Sequence, residues 1–223
     1  MADSPDILDA QRPHWERVYG NKPDLFGDRP STPALWAADL FEREGVARLL
    51  ELGCGPGRDS LFFARRGFQV TALDYSQAAV ELVTAKAAAA GLAPCLAASR
   101  QDVRDPLPFA DSAFDACFSH MLCCMALTNA QIESLMRETL RVLRPGGIDV
   151  YTVRHTGDPH YGKGIHRGED MYEVNGFIVH FFSREKIERL AEGCEVLSVE
   201  EFEEGDVPRR LFRVAIRKSV TSP

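Results

Sequence analysis

The chain has 223 residues, of which 45% are hydrophobic and 26% are charged, the composition of an ordinary globular protein. It carries 26 Lys and Arg against 33 Asp and Glu, a formal net charge of −7. That balance argues against a nucleic-acid partner, because non-specific affinity for nucleic acid comes from clustered Lys and Arg. No apolar run approaches the roughly 20 residues that span a bilayer, and the first nine residues, with three Asp and no basic residue, do not resemble a signal peptide.

Six cysteines are spread along the chain without a C-x-x-C pair. A domain of this length buries enough apolar surface to fold without disulfides, so we expect reduced thiols in a cytoplasmic protein. Length and composition predict one domain. We expect no membrane partner, and we expect the protein to be a monomer or a homodimer.

The first 45 residues are predicted to form a helical N-terminal cap. They contain one candidate helix over 7–19. A second helix is predicted over 33–44, because a Ser-Thr pair can cap its start and Gly45 can end it.

Strands and helices then alternate. Strands are predicted over 47–53, 68–74, 95–102, 114–120 and 148–153, with helices over 58–66, 76–90 and 128–143. The last of these helices has apolar residues at helical spacing, and Thr128 and Gln131 have the spacing of a capping box. Alternation of this kind predicts a parallel sheet that is covered by helices on both faces.

The chain is predicted to end with a helix over 183–193 and two strands over 195–201 and 211–217. No helix separates these strands, so they should pair antiparallel across the turn-prone residues 203–208. The predicted fold is therefore α/β, with a Rossmann-like, doubly wound, seven-stranded sheet that is mostly parallel and ends in an antiparallel hairpin. We divide it into a cap (1–45), a core (46–153), a lid segment (154–182) and a C-terminal helix with its hairpin (183–223).

A glycine-rich turn joins the first predicted strand to the next helix. It reads Glu51-Leu52-Gly53-Cys54-Gly55-Pro56-Gly57. Such turns let a ligand approach the backbone, and the following helix presents free N–H groups. Dinucleotides and S-adenosylmethionine both use this arrangement, but the dinucleotide fingerprint needs a small third residue, where this chain has Arg58.

The pattern E-x-G-x-G-x-G resembles motif I of the class I S-adenosylmethionine-dependent methyltransferases, and the resemblance extends over about residues 47–153. Asp74 ends the second strand, where that family places an acid on the ribose hydroxyls. Asp102 ends the third strand, where the family has an acid facing the adenine amine. Phe114-Asp115-Ala116 and Leu143-Arg144-Pro145-Gly146-Gly147 match two further motifs in the expected order.

The resemblance implies S-adenosyl-L-methionine as cofactor and S-adenosyl-L-homocysteine as product. The implied cofactor site consists of Glu51, Gly53, Gly55, Gly57, Asp74, Tyr75, Asp102, Val103 and His120. Glu51 is expected to order the glycine turn by accepting its N–H groups. The alternatives are a purely structural turn for the glycines, a helix cap for Asp74 and solvated carboxylates for Asp102 and Glu51.

The chemistry of a sulfonium methyl group limits what catalysis needs. The methyl is already electrophilic, so the protein mainly aligns a nucleophile, and a base is needed only for a protonated acceptor. Substrate residues should follow the fourth and fifth strands. His120 is a candidate cofactor contact or base, although a structural histidine is an equal alternative.

Residues 154–182 hold four of the six histidines and five glycines. A long segment of this kind is usually functional, so we interpret it as a lid over the methyl donor. Arg154, His155 and Tyr161 are the candidate catalytic residues that contact substrate. A structural extension and a histidine metal site are the alternatives; no metal is expected, because the histidines lack metal-site spacing.

Two details narrow the expected acceptor. Gly57-Arg58-Asp59-Ser60 and the aromatic N-terminal segment, with Trp15 and Tyr19, resemble small-molecule methyltransferases related to tellurite-resistance and thiopurine enzymes. That resemblance implies a thiol, a chalcogenide or another soft nucleophile. Cys123-Cys124 could bind a soft metal but is expected to be packing. The competing functions are methylation of a protein or of an oxygen or nitrogen metabolite, a nicotinamide-dependent oxidoreductase, and a non-catalytic S-adenosylmethionine-binding protein.

Overall fold

The computed structural model describes residues 9–22, 24–205 and 209–220. The helices of these residues are α1 (Gln11–Asn21), α2 (Thr32–Arg43), α3 (Arg58–Arg65), α4 (Gln77–Ala89), α5 (Asn129–Val142) and α6 (Arg184–Leu190). Their strands are β1 (Arg48–Leu52), β2 (Gln69–Asp74), β3 (Leu96–Arg100), β4 (Phe114–His120), β5 (Leu143–Arg154), β6 (Ile165–Gly168), β7 (Met171–Val174), β8 (Phe177–His180), β9 (Cys194–Glu204) and β10 (Arg209–Lys218).

The main sheet has seven strands in the order β3-β2-β1-β4-β5-β10-β9. The first five strands are parallel to one another, whereas β10 is antiparallel to both β5 and β9. The predicted seven-stranded, mostly parallel sheet with a C-terminal hairpin is therefore confirmed. The order of connections reverses between β1 and β4, and sheets of this kind bind ligands at the carboxyl ends of the strands beside such a reversal.

Both faces of the sheet are covered by helices. Neighbouring residues of β1 point to opposite faces, so Leu49 packs with α2, α3 and α4, whereas Leu50 packs with α5 and α6. Both leucines are fully buried. Burial of apolar surface at about 25 cal/mol per Å² makes these two cores the main stabilising contribution of the fold.

The predicted helix starts are confirmed by their caps. Thr128 Oγ1 accepts the Gln131 N–H at 3.3 Å, and the Gln131 side chain accepts the Thr128 N–H at 2.8 Å, which is the predicted capping box. Ser76 caps α4 and Ser31 caps α2 in the same way, each accepting a backbone N–H three residues on.

The segment 154–182 differs from the predicted loop. Its three four-residue strands form the antiparallel sheet β6-β7-β8. The link between β7 and β8 is Asn175-Gly176, with φ of 52° and 82°, the sequence and conformation of a two-residue hairpin. The sequence therefore held a hairpin signal that the prediction of a loop overlooked.

Strand ends also differ from the predictions. β5 begins at Leu143 instead of residue 148, because Gly147 lets its backbone approach β4: a Cβ there would lie 3.0 Å from the Asp115 carbonyl oxygen. β9 extends to Glu204, and residues 206–208 of the predicted turn lie outside the described residues, as do residues 7 and 8 of the first predicted helix. Of the described helices, none is long and apolar enough to cross a membrane.

Candidate active site

A cavity of about 600 Å³ opens at the carboxyl ends of β1, β2 and β4. We call it the main cavity. Gly53, Asp74 and His120 line it from the sheet, and Trp15 and Tyr19 line it from α1. Its volume is within the range of about 300–1,000 Å³ that small-ligand sites occupy. The cavity lies at the reversal of connections, where a doubly wound sheet binds its ligand.

The glycine turn forms the floor of the main cavity. Gly53, Gly55 and Gly57 have φ of 69°, 51° and 87°, a region that favours glycine. A Cβ on Gly53 would lie 2.9 Å from Leu122, and one on Gly55 would lie 3.3 Å from the Tyr19 hydroxyl. Both residues line the cavity, so their lack of a side chain leaves room for a ligand.

Gly57 has a different role from the other two glycines. It does not line the main cavity. A Cβ at this position would lie 2.7 Å from Val83 Cγ2 on α4. Gly57 therefore permits the close packing of α3 and α4. The sequence predicted that Gly57 would face the cofactor, and this prediction differs from its position in the structure.

Asp74 joins the glycine turn to α4. Its carboxylate accepts the Gly55 N–H at 2.8 Å and the Ser76 N–H at 2.9 Å. Burial raises the pKa of Asp74 to about 6, although these two hydrogen bonds work in the opposite direction. A backbone hydrogen bond from Tyr75 also acts on this carboxylate; because a carboxylate has about four acceptor positions, acceptor capacity remains for a hydroxyl group in the cavity.

Glu51 is buried at the end of β1 and lines the main cavity. Its carboxylate accepts a hydrogen bond from the Ser60 hydroxyl. The described hydrogen bonds do not include one from the glycine turn to Glu51, so the expected ordering of that turn is instead performed by Asp74. Burial raises the pKa of Glu51 well above its ordinary value, so the neutral form is favoured unless a cationic ligand group stabilises the carboxylate.

Asp102 lies at the opposite rim of the cavity, beside Val103. Its carboxylate is paired with Arg104, with Nη2 2.7 Å from Oδ2. Partial burial raises the pKa of Asp102, but the hydrogen bonds from Arg104 outweigh it and hold the pKa below its ordinary value. Tyr75 also lines the cavity, and its hydroxyl donates to the Gln11 carbonyl oxygen at 3.4 Å.

His120 ends β4 between two partners. Its Nδ1 lies 2.8 Å from Thr152 Oγ1, and its Nε2 lies 3.2 Å from Glu204 Oε2. Because an ionised carboxylate only accepts hydrogen bonds, Nε2 carries a proton. Partial burial raises the pKa of Glu204, but the hydrogen bond and charge of His120 outweigh it and lower the pKa below its ordinary value.

The hairpin β9–β10 supplies a wall that the sequence did not predict. Glu204, Gly205 and Arg209 all line the main cavity. They stand at the end of the chain, far from the recognised motifs, and only the antiparallel pairing of β10 with β5 brings them to the cavity.

The three predicted substrate residues of the lid segment do not reach the main cavity. Arg154 lines a second cavity of about 410 Å³ and is paired with the buried Asp158. His155 lines neither cavity; its Nδ1 accepts the Gly157 N–H at 2.9 Å and its ring lies against Phe212. The directions of the Arg154 and His155 side chains depend on where β5 ends, and the sequence does not specify that residue.

Tyr161 also lines neither of these cavities. Its hydroxyl donates to Asp170 at 2.8 Å, and its ring packs against Tyr172 and Phe181. These contacts of Tyr161 attach the turn before β6 to the small sheet.

Helix α1 covers the main cavity on the side that faces the glycine turn. Gln11, Trp15 and Tyr19 are four residues apart, so they share one face, and all three line the cavity. Gln11 is bound to the β7–β8 hairpin through both ends of its amide, with Nε2 3.0 Å from the Gly176 oxygen in the turn and Oε1 3.3 Å from the Ile178 nitrogen in β8. The small sheet therefore supports the helix that closes the cavity.

The cysteine pair lies in the core. Cys123 and Cys124 are buried and line neither cavity. Burial raises the pKa of both thiols, that of Cys124 to about 11, so they remain protonated. Among the described residues, no group of three or more His, Cys, Asp or Glu side chains could hold a metal ion.

Comparison with known proteins agrees with this geometry. Residues 49–147 match a family model described as a methyltransferase domain. Malonyl-[acyl-carrier protein] O-methyltransferase from Salmonella typhimurium is 34% identical over 140 residues, which are 62% of this chain and 52% of that protein. This chain spans about half the length of the curated relatives it matches.

Two solved structures share the fold. The 1,6-didemethyltoxoflavin-N1-methyltransferase of Burkholderia thailandensis, with bound 1,6-didemethyltoxoflavin and S-adenosylhomocysteine, is 16% identical and has a TM-score of 0.76, covering 97% of this chain and 91% of its own. TehB from Haemophilus influenzae is 16% identical and has a TM-score of 0.68, covering 92% of this chain and 67% of its own.

A glycine-rich turn, a buried acid after the neighbouring strand and a cavity at the reversal of connections define a Rossmann-like nucleotide-binding domain. Within that class, the matching family model and the shared fold are those of the S-adenosylmethionine-dependent methyltransferases. Residues 49–147, under half of the chain, match that family model, and the fold is that of the class I enzymes that the motifs resemble. The cofactor of the family is S-adenosylmethionine.

The residues of the main cavity fit that cofactor. Asp74 keeps acceptor capacity for a hydroxyl group, and the ionised form of the buried carboxyl of Glu51 would be stabilised by a cationic group. Apolar surface for a base is offered by Leu122 and Leu127, which also line the cavity.

Proposed function

We propose that this protein transfers a methyl group from S-adenosylmethionine to a small molecule by direct in-line displacement. The observation that carries the proposal is the main cavity itself, in which the glycine turn and Asp74 face a roof made by Trp15 and Tyr19. A roofed cavity admits a small acceptor more readily than a segment of a folded protein. The name of the malonyl-[acyl-carrier protein] relatives supports methyl transfer as the reaction class.

The cofactor supplies the electrophilic methyl group. The residues of the chain bind and orient it: Asp74 accepts hydroxyl hydrogen bonds, Asp102 lines the opposite rim and Gly55 leaves room for close approach. Such alignment can contribute on the order of 7 kcal/mol or more to lowering the barrier. Trp15 and Tyr19 exclude water from above, which strengthens polar contacts inside the cavity.

A proton must leave the acceptor if it arrives protonated. Glu204 lines the main cavity, and the hydrogen bond from His120 helps to keep it ionised. We assign Glu204 as the group that accepts this proton, and Thr152 as the residue that orients His120 through Nδ1. His120, which also lines the cavity, remains a candidate cofactor contact.

The first class of methyl acceptor that we propose is the soft nucleophiles, because the resemblance to tellurite-resistance and thiopurine enzymes implies them. The O-methyltransferase names of several relatives favour carboxylates as a second class. We further propose a cytoplasmic protein, monomeric or homodimeric, with no nucleic-acid partner. Free thiols at all six cysteines agree with that compartment.

The test combines binding with turnover. Calorimetry should show S-adenosylhomocysteine binding to the protein, and release of S-adenosylhomocysteine from S-adenosylmethionine should be measured across thiols, chalcogenides, arsenite, amines, phenols and carboxylates. Cofactor binding without turnover on any of these acceptors would favour a non-catalytic S-adenosylmethionine-binding protein. Binding of NADH in place of S-adenosylhomocysteine would favour the oxidoreductase and contradict the proposal.

A further inference from the structure

The second cavity has an apolar wall made by one face of the small sheet. Alternate residues of β7 and β8 line it in two directly opposed pairs, Tyr172 with Val179 and Val174 with Phe177. The opposite face of the sheet carries Met171 and Ile178, which are buried in the core. Since side chains alternate along a strand, the sheet has two apolar faces, and the one toward the cavity is covered in part by α1, whose His14 and Trp15 rings lie 4.3 Å and 5.5 Å from the Phe177 ring.

The cavity also carries positive charge. Arg154 is already neutralised, because its Nε and Nη2 lie 2.9 Å and 2.5 Å from the two oxygens of Asp158. Arg209 forms no ion pair with another described residue, and Glu204, the nearest acid on the hairpin, is bound to His120. Among the described residues, Arg209 therefore faces the cavity without an ion-pair partner, and its charge acts on Glu204 across the hairpin only at longer range.

The position of Arg209 connects the two cavities. Arg209 and Gly205 line both of them. Nη2 of Arg209 lies 2.9 Å from the place that a Cβ on Gly205 would occupy, so the glycine leaves space for the guanidinium. Phe177 of the second cavity lies 5.5 Å from Trp15 of the main cavity, between ring centroids. A molecule in the second cavity would thus lie directly beside the cofactor cavity.

We propose that the body of the methyl acceptor extends from the main cavity into the second cavity, that this body is flat and apolar and carries one acidic group, and that Arg209 binds the acidic group. This inference rests on the proposed function, because it takes the main cavity as the cofactor site. Aromatic and β-branched side chains offer a flat surface to such a body. The planar guanidinium presents paired N–H donors that match a carboxylate.

The proposal is tested with 2-naphthoate and its neutral counterpart 2-naphthamide. Calorimetry measures the binding of each to the full chain saturated with S-adenosylhomocysteine. The variant is Arg209→Gln. Its matched control is Arg210→Gln, which removes the same charge one residue later, where the guanidinium is exposed and paired with Glu203. Val179→Trp, which fills the cavity from the opposite wall, is a second variant that keeps all charges.

We expect 2-naphthoate to bind the native chain at least tenfold more tightly than 2-naphthamide. Arg209→Gln should weaken 2-naphthoate binding at least tenfold and remove the preference over the amide, whereas Arg210→Gln should change it less than twofold. Val179→Trp should weaken both compounds and leave S-adenosylhomocysteine binding unchanged. The inference is overturned if 2-naphthoate does not bind, if the two arginine variants behave alike, or if 2-naphthoate displaces S-adenosylhomocysteine.

Failure of the proposed function gives a different result. In that case the native chain would not bind S-adenosylhomocysteine at all. The same titrations of 2-naphthoate on the protein alone would then still report whether the second cavity and Arg209 bind a flat acid. Retained binding would support the site, and its loss would overturn it.

Discussion

Nε2 of His120 lies 3.2 Å from the carboxylate of Glu204, across the wall of the main cavity. The two residues are 84 positions apart in sequence, and each reaches the cavity from a different strand. This pair supplies the cavity with a carboxylate whose proton affinity is set by a neighbouring imidazole.

The first prediction concerns this pair. Glu204→Gln should lower kcat at least tenfold for acceptors that arrive protonated, because the amide cannot accept the proton, and should leave S-adenosylhomocysteine affinity within twofold. S-adenosylhomocysteine release and calorimetry measure the two quantities. Glu203→Gln is the control, since Glu203 is exposed on the other side of the strand. Equal activity of both variants would exclude Glu204 as the proton acceptor.

The second prediction concerns Asp74. Asp74→Ala should weaken S-adenosylhomocysteine binding at least tenfold, equivalent to about 1.4 kcal/mol or more. Hydroxyl donors stabilise the ionised carboxylate, and the pKa of Asp74 is raised to about 6 by burial. The affinity of the native chain should therefore fall as the pH drops below 6, and Asp74→Asn should lose this dependence. Calorimetry between pH 5 and pH 8 measures both effects; unchanged affinity in Asp74→Ala would remove Asp74 from the site.

The third prediction separates packing from backbone strain at Gly57. Gly57→Ala should cost roughly 2–4 kcal/mol of unfolding free energy, because it combines a positive φ with a contact to Val83 that is too close. Gly67→Ala is the control: its φ is also positive, at 93°, but nothing lies within 4 Å of the added Cβ. Adding Val83→Ala should restore part of the loss at Gly57. Chemical denaturation measures these differences, and equal losses at the two glycines would contradict the packing role.

The fourth prediction concerns a carboxyl inside the sheet. Burial raises the pKa of Asp149 to about 7, against an ordinary value near 3.9. The folded state therefore favours the protonated form, and this contribution to stability is lost as the pH rises from about 4 to 7. Asp149→Asn should stabilise the protein at pH 8 relative to the native chain, and by less at pH 5. Thermal unfolding at the two pH values tests it; a gain that does not change with pH would contradict it.

The fifth prediction concerns the roof of the main cavity. Gln11→Ala removes both amide contacts between α1 and the β7–β8 hairpin. We expect faster amide hydrogen exchange in α1 and weaker S-adenosylhomocysteine binding, because Trp15 and Tyr19 lose their support. Arg17→Ala, on the exposed side of the same helix, should change neither. Identical exchange in the two variants would show that β8 does not hold the helix.

Much of the fold was predictable because the signals are local. The capping box at Thr128 and the glycine turn each depend on residues within one element or one turn. The two faces of the sheet follow from the alternation of β1. The sequence signal for the hairpin at Asn175-Gly176 was also local. Because the prediction did not use it, a loop was predicted where the structure has a small sheet.

The sequence by itself determined the alternation of strands and helices, the glycine turn and the acid at Asp74, because each is set by neighbouring residues in the chain. Only the tertiary structure decided that Glu204 and Arg209 face the cavity, that Gly57 packs on Val83, and that His155 and Tyr161 do not reach the main cavity. Side-chain direction at the end of a strand depends on register and on the elements packed against it, and these contacts join residues that are distant in sequence.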